Sequence, residues 1–128
     1  MPVKRRIAAL FVLLPLMCAC NRQQQRFQTA SQLTGGGNAQ AGMVDLRKYG
    51  CNGCHTIPGI EGAQGLVGPP LNQFADRVYI AGRLPNTPDN LMLWIQKPQQ
   101  VVPNNAMPDM GINEQDSRDI AAYLYTLR

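Results

Sequence analysis

The chain is poor in the residue types on which most enzymes and metal proteins depend. Its 128 residues include one histidine, four cysteines and one tryptophan, and 16% of them are charged. It has no glycine-rich dinucleotide fingerprint and no grouping of a nucleophile with a general base. The apolar run over residues 7–17 is shorter than the roughly 20 residues that a membrane-spanning helix needs. We therefore expect neither a nucleotide-dependent enzyme nor a spanning helix, and no catalytic residue is predicted.

The basic character of the chain is confined to its N-terminal part. The whole sequence has a formal net charge of +4, but from Gln40 onwards seven Lys/Arg face eight Asp/Glu. Binding to nucleic acid requires a basic patch on the folded part, and none is indicated. We expect no nucleic-acid partner.

The N-terminus has the pattern of an export signal. Three basic residues, 4–6, precede the apolar run over residues 7–17. Residues 17–20, Met-Cys-Ala-Cys, then resemble a bacterial lipoprotein box, which implies cleavage after Ala19 and acylation of Cys20. The alternative is an ordinary signal peptide that is cut nearby and leaves a soluble product. The lipoprotein interpretation predicts a protein on the periplasmic side of the bacterial cell envelope, anchored to a membrane by lipid.

The next segment has the composition of a linker. Residues 20–39 are rich in Gln, Ser, Thr and Gly and show no apolar periodicity, so we expect a flexible tether. The predicted organisation is a signal peptide over 1–19, this tether over 20–39, and one folded domain over 40–128.

One pentapeptide carries the chemistry of that domain. Cys51-Asn52-Gly53-Cys54-His55 is C-x-x-C-H, the attachment signature of a c-type haem. Cys51 and Cys54 are one helical turn apart, so both thiols can add to vinyl groups on one edge of a porphyrin. His55 is the sole histidine and hence the candidate nitrogen ligand of the iron. A redox dithiol would need a βαβ context, and a structural zinc site would need four ligands. We predict one covalent haem c, attached through Cys51 and Cys54.

Three helices are predicted around this motif. The first covers about residues 41–49. The second begins with Thr87 as N-cap, runs to Lys97 and is ended by Pro98. The third is capped by Asn113. Its apolar face consists of Ile120, Tyr123, Leu124 and Leu127. Long Gly/Pro-rich loops connect the helices and alternating strand patterns are missing, so the fold class is all-α with irregular loops.

In this order and spacing, the domain resembles class I cytochrome c. The stretches that carry the resemblance are C-x-x-C-H, Gly68-Pro69-Pro70-Leu71 followed by Arg77, Trp94 to Pro98, Pro103-Asn104-Asn105-Ala106-Met107-Pro108, and Asp119-Ile120-Ala121-Ala122-Tyr123-Leu124. The resemblance implies a small helical fold that wraps one haem, with the first and last helices crossing. Gly42 is expected to permit that crossing by lying close to Tyr123.

The resemblance also implies the residues that hold the haem. His55 would bind iron through one ring nitrogen while its other N–H donates to the carbonyl of Pro69. Leu71 would pack against the ring, and Arg77 would lie near a propionate. The sixth ligand would be Met107, at the family spacing, with Met110 as the internal competitor.

Two further residues are implied near the haem. Trp94 would line the pocket near the methionine, where its indole N–H can point to a propionate or to the ligand region. Alternatively, Trp94 is simply the largest residue of the hydrophobic core. Asn105 replaces the hydroxyl residue common in the family and is expected to donate to a propionate.

His/Met ligation closes both axial positions and raises the reduction potential, which suits one-electron transfer and leaves no place for a small-molecule substrate. Residues 81–91, followed by Trp94 and Ile95, resemble the cytochrome domain of haem–copper oxidase subunit II. This resemblance implies a non-enzymatic electron carrier of a bacterial respiratory chain, a donor to or accessory subunit of a terminal oxidase. The alternatives are an electron-outlet subunit of a periplasmic dehydrogenase and a gas-binding or peroxidatic haem protein.

Overall fold

Two helices that cross, one from each end of the domain, organise the fold. The computed structural model describes residues 21–128, so the predicted signal peptide and Cys20 lie outside the described residues. The helices are α1 (residues 21–33), α2 (Ala39–Lys48), α3 (Cys51–Cys54), α4 (Pro88–Gln96), α5 (Pro98–Val101) and α6 (Glu114–Leu124). A 3-10 turn, Phe74–Asp76, precedes an antiparallel pair of short strands, β1 (Tyr79–Ile80) and β2 (Leu84–Pro85). No helix within residues 21–128 has the length and apolar content to cross a membrane.

The three predicted helices are confirmed, and side-chain caps fix where they begin. Thr87 accepts a hydrogen bond from the backbone N–H of Asn90, and Asn113 accepts one from the backbone N–H of Asp116 at 2.8 Å. α2 begins at Ala39, two residues earlier than expected. The reason is that the Asn38 carboxamide oxygen accepts the backbone N–H groups of residues 40 and 41.

The segment with linker composition contains a helix. α1 occupies residues 21–33, where the composition predicted an irregular tether over 20–39. Phe27, Ala30 and Thr34 follow helical spacing, and the latter two are buried. Arg118 of α6 donates from Nη1 to the carbonyl oxygen of Thr34 at 3.1 Å. The helix is therefore held by tertiary contacts that a low apolar content does not reveal.

The crossing of α2 and α6 depends on a glycine. A Cβ added to Gly42 would lie 2.6 Å from the carbonyl carbon of Asp119, which is closer than side chains tolerate. The expected close approach is therefore present, but its partner is the backbone of Asp119 and Ile120 and not Tyr123. Tyr123 instead donates its hydroxyl to the carbonyl oxygen of Pro58 at 2.7 Å. The buried side chains at the centre include Leu46, Leu91 and Ile120.

A polar cluster joins the same two helices beside the C-x-x-C-H turn. Lys48 Nζ and the Tyr49 hydroxyl both donate to Oδ2 of Asp116, at 2.6 and 2.7 Å. These two bonds, that of Lys48 first, hold the pKa of Asp116 below its usual value. Burial, followed by the charge of Asp116, raises the pKa of Asp45 in the same interface.

These shifts predict an acid-dependent loss of stability. Asp116 stabilises the fold above its usual pKa, and this contribution is lost as the pH falls through its lowered value, while Asp45 acts in the opposite sense. We expect Asp116→Asn to lower the thermal unfolding midpoint at neutral pH, and this deficit to shrink as the pH falls from neutral to below 3.8, the ordinary pKa of an aspartate. Glu61→Gln, at an exposed loop position, is the control. A deficit that does not change over that range would contradict the assignment.

Candidate functional site

The two thiols of the C-x-x-C-H motif lie on one short helical turn. Gly50, in the left-handed conformation with φ of 73°, ends the preceding segment, and α3 runs from Cys51 to Cys54. Both cysteines are free and half-buried. Burial raises the pKa of the Cys51 thiol, whereas redox dithiols depend on a lowered one. Within residues 21–128 no group of three or more His, Cys, Asp and Glu side chains is placed to hold a metal ion. A raised pKa of Cys51 is the opposite of what a redox dithiol needs.

The imidazole of His55 is oriented by a backbone carbonyl, as the sequence predicted. Nδ1 of His55 lies 2.7 Å from the carbonyl oxygen of Pro69. Because a carbonyl oxygen can only accept, this contact requires the hydrogen on Nδ1. The lone pair is then on Nε2, which is the nitrogen left to bind a metal. The contact with Pro69 thus favours the tautomer in which Nε2 would be the nitrogen that binds iron.

Two glycines bring the Pro69 loop against the motif. A Cβ added to Gly68 would lie 2.6 Å from Nδ1 of His55, and one added to Gly65 would lie 2.6 Å from the backbone nitrogen of Cys54. Gly68 also donates its N–H to the carbonyl oxygen of Cys54 at 2.8 Å. The sequence analysis gave Gly65 and Gly68 no role in holding this loop. Their position just before Pro69 was the only sign of it in the sequence.

Arg77 holds the same loop from its far side. Its guanidinium donates to the carbonyl oxygens of Pro70 and Asn72, the latter at 3.2 Å, and lies over the Phe74 ring. Leu71, in the loop, is buried. The structure therefore brings Arg77 and Leu71 together with the His55 partner loop. Their contacts with the haem stay predictions.

The loop that contains Met107 is held by the amide of Asn105. Nδ2 of Asn105 donates to the carbonyl oxygens of Pro98 and Val102 at 3.0 and 2.6 Å, and Oδ1 accepts the backbone N–H of Met107 at 2.7 Å. Both amide hydrogens are thus used within the protein. These bonds show that Asn105 shapes the methionine loop. Its contact with a haem propionate stays a prediction.

A second amide, which sequence reasoning missed, fixes the same loop. Nε2 of Gln99 donates to the carbonyl oxygens of Asn105 and Met107 at 3.1 and 2.7 Å, and Oε1 accepts the N–H of Asn104 at 3.0 Å. The side chain of Met107 is partly buried in this arrangement, whereas that of Met110 is exposed to solvent. A sequence pattern cannot indicate that the Gln99 side chain bonds a loop five to eight residues further along the chain. This role is visible only in the structure.

We expect Gln99→Ala to loosen the methionine loop. Loss of three hydrogen bonds should lower the free energy of unfolding by about 1–3 kcal/mol. If Met107 ligates the iron, the weak ferric thioether absorption should also disappear at a lower temperature than in the parent protein. Gln100→Ala, in the same helix at an exposed position, is the matched control and should leave both quantities unchanged. Identical melting of that absorption in all three proteins would refute the role of Gln99.

Trp94 is half-buried and packs against the hydrophobic core from α4. This packing agrees with one of the two roles predicted for Trp94, that of a large core residue. The indole contact with a haem propionate stays a prediction. Met43 and Met92 also pack against the core, which leaves Met107 and Met110 as the methionines outside it among the described residues.

Comparison with known sequences identifies the family. Residues 35–128 match the family described as Cytochrome c. The chain belongs to the cytochrome c family. It is 35% identical over 91 residues to cytochrome c oxidase subunit 2 of Alkalihalophilus pseudofirmus, covering 70% of this chain and 26% of the relative. It is 33% identical over 82 residues to cytochrome c oxidase subunit 2 of Bacillus sp. strain PS3, covering 61% of this chain and 23% of the relative. No solved structure gives a significant match.

These findings confirm the class I cytochrome c fold and the resemblance to the cytochrome domain of oxidase subunit II. The chain spans about a quarter of the length of the curated relatives it matches. Membership of the family implies an electron-transfer protein that carries haem c attached through cysteines.

The residues present fit that group. Cys51 and Cys54 lie on one turn and neither is in a disulfide, and the contact with Pro69 uses Nδ1 of His55, so that Nε2 is the ring nitrogen that could bind iron. The bound haem would supply one-electron chemistry at iron. The protein's part would be to orient His55 through the carbonyl of Pro69, to hold the loop that contains Met107, and to keep the segment over residues 65–69 close to α3.

Proposed function

We propose that the chain is a mono-haem electron carrier of a bacterial respiratory chain and passes single electrons to a terminal oxidase, as a separate donor or as an accessory subunit. The observation that carries this proposal is the similarity of 70% of the chain to a cytochrome c oxidase subunit 2. In that relative the matched region is about a quarter of a longer protein.

The ligand arrangement supports a carrier. His55 would bind the iron from one side and Met107 from the other, so no position would be left for a small-molecule substrate. Histidine and methionine together raise the reduction potential relative to harder ligand pairs. Gln99 donates a hydrogen bond to the carbonyl oxygen of Met107, and Asn105 accepts one from the N–H of Met107. These two bonds would keep the ligand in place during redox cycling. Binding of gas or peroxide, in contrast, requires a ligand that leaves easily.

The envelope location is part of the proposal. Residues 1–19 would direct export, and Cys20 would receive lipid, which places the domain on the periplasmic side of a membrane. The roles of Trp94, Arg77 and Leu71 as haem contacts belong to the same proposal. Each of them lies on, or packs with, an element that the structure places next to the His55 or Met107 loop.

The partner is tested by oxidation of the pre-reduced purified protein with membranes of the source bacterium. Rapid cyanide-sensitive oxidation, together with co-purification of a haem–copper oxidase, is the expected result. Reduction by a purified periplasmic dehydrogenase without oxidation by the membranes would instead establish the dehydrogenase alternative. Rapid binding of carbon monoxide to the reduced protein at neutral pH would contradict a closed coordination sphere.

A further inference from the structure

An open groove of about 900 Å³ lies between α1 and the C-terminal end of the chain. Its α1 side carries Arg22, Arg26 and Phe27, and Met43 of α2 borders it. The opposite side includes Tyr123 and Leu127. Neither His55 nor Met107 is among the residues that line it.

The groove combines cations with an apolar floor. Arg22 and Arg26 are four residues apart on α1, which places them on the same side of that helix. Among the described residues that line the groove, they are the only charged ones, and no carboxylate side chain belongs to this set. Phe27, Met43 and Leu127 pack against the core and are only partly buried, so apolar surface is available next to the guanidinium groups. A ligand that matches this surface carries a negative charge at one end and a hydrocarbon portion at the other.

The groove is a fixed feature of the fold because α1 is docked. Ala30 and Thr34 are buried, and Arg118 of α6 donates to the Thr34 carbonyl oxygen. A Cβ added to Gly37 would lie 2.9 Å from the Cβ of Ala122, so the chain after α1 also passes close to α6. The walls of the groove therefore belong to elements that pack together, not to a loose extension.

We propose that this groove binds an anionic phospholipid of the membrane surface. The two arginines would bind the phosphate group and the Phe27–Met43–Leu127 surface would cover the first part of an acyl chain. Arg22 follows the proposed acylation site, Cys20, by two residues, so an anchored domain would hold this groove at the lipid headgroups. Binding would fix the orientation of the domain on the membrane. The inference adds to the proposed envelope location and does not depend on the redox partner.

The test uses the haem-loaded full chain with Cys20→Ser, so that no attached lipid competes. The probes are soluble dihexanoylphosphatidylglycerol, its phosphatidylcholine analogue, and glycerol 3-phosphate as the headgroup anion alone, each titrated by calorimetry. We expect saturable binding of the phosphatidylglycerol that weakens with salt, and clearly weaker binding of the other two probes. Arg22→Gln/Arg26→Gln should reduce the affinity by roughly fivefold per arginine, on the order of 30-fold together.

Arg83→Gln, an exposed arginine between β1 and β2, is the matched control and should bind like the parent. Unchanged haem absorption and thermal midpoint in the double variant show that it folds. Equal affinity of the double variant and the parent, equal binding of the zwitterionic lipid, equal binding of glycerol phosphate, or no binding at all would each overturn the proposal. Because the readout is lipid binding, a failure here leaves the electron-transfer proposal standing.

Discussion

A Gly42→Ala variant should unfold roughly 10–25 °C below the parent protein, a loss of about 3 kcal/mol for a domain of this size. The added Cβ would lie 2.6 Å from the carbonyl carbon of Asp119 and 3.0 Å from the backbone nitrogen of Ile120. Backbone atoms inside a helix cannot move aside as the end of a side chain can. α2 and α6 must therefore separate, and the gain in helix propensity from alanine, about 1 kcal/mol, offsets only part of the cost.

Gly53→Ala is the matched control for that variant. Gly53 lies inside C-x-x-C-H itself, yet a Cβ there meets no atom within 4 Å. Its thermal midpoint should equal or slightly exceed that of the parent. If both variants have the same thermal unfolding midpoint as the parent, α2 and α6 do not pack through Gly42 as described.

A Met107→Ala variant should lose the weak ferric absorption at about 700 nm that marks a thioether ligand, and its reduction potential should fall. The reason is that Met107 would supply the sulfur ligand from a loop that Gln99 and Asn105 hold in place. An absorption spectrum of the ferric protein and a redox titration measure the two effects.

Met110→Ala is the control for the ligand assignment. Met110 is exposed and three residues further along the same segment. Its replacement should leave both the absorption and the potential unchanged. The opposite pattern, with the absorption lost only in Met110→Ala, would assign the sixth ligand to Met110.

Local signals predicted much of this fold correctly. Thr87 and Asn113 cap their helices because their side chains bond backbone groups three residues away, an interaction that the sequence displays directly. The bond from His55 to Pro69 follows from the motif and the loop that the family resemblance supplied. The helix caps could be predicted because the two partners are three residues apart in the sequence. The bond between His55 and Pro69 could be predicted because the family resemblance indicates both partners.

Contacts between segments that are distant in the sequence could not be predicted from it. α1 looked like a tether because its few apolar residues are outnumbered by glutamines, and the sequence does not show that Phe27 and Ala30 pack with the core. The partner of Gly42 was placed one turn too far along α6, since a crossing angle cannot be read from one chain segment. The bonds from Asn105 to the carbonyls of Pro98 and Val102 likewise have no signal in the sequence.

Mass spectrometry and the visible spectrum of the protein, purified from a bacterium that matures c-type cytochromes, test the central claim most directly. We predict a coloured protein whose peptide containing Cys51 and Cys54 is heavier by one haem, with neither thiol open to alkylation. A colourless protein in which both of these cysteines can be alkylated would contradict the account.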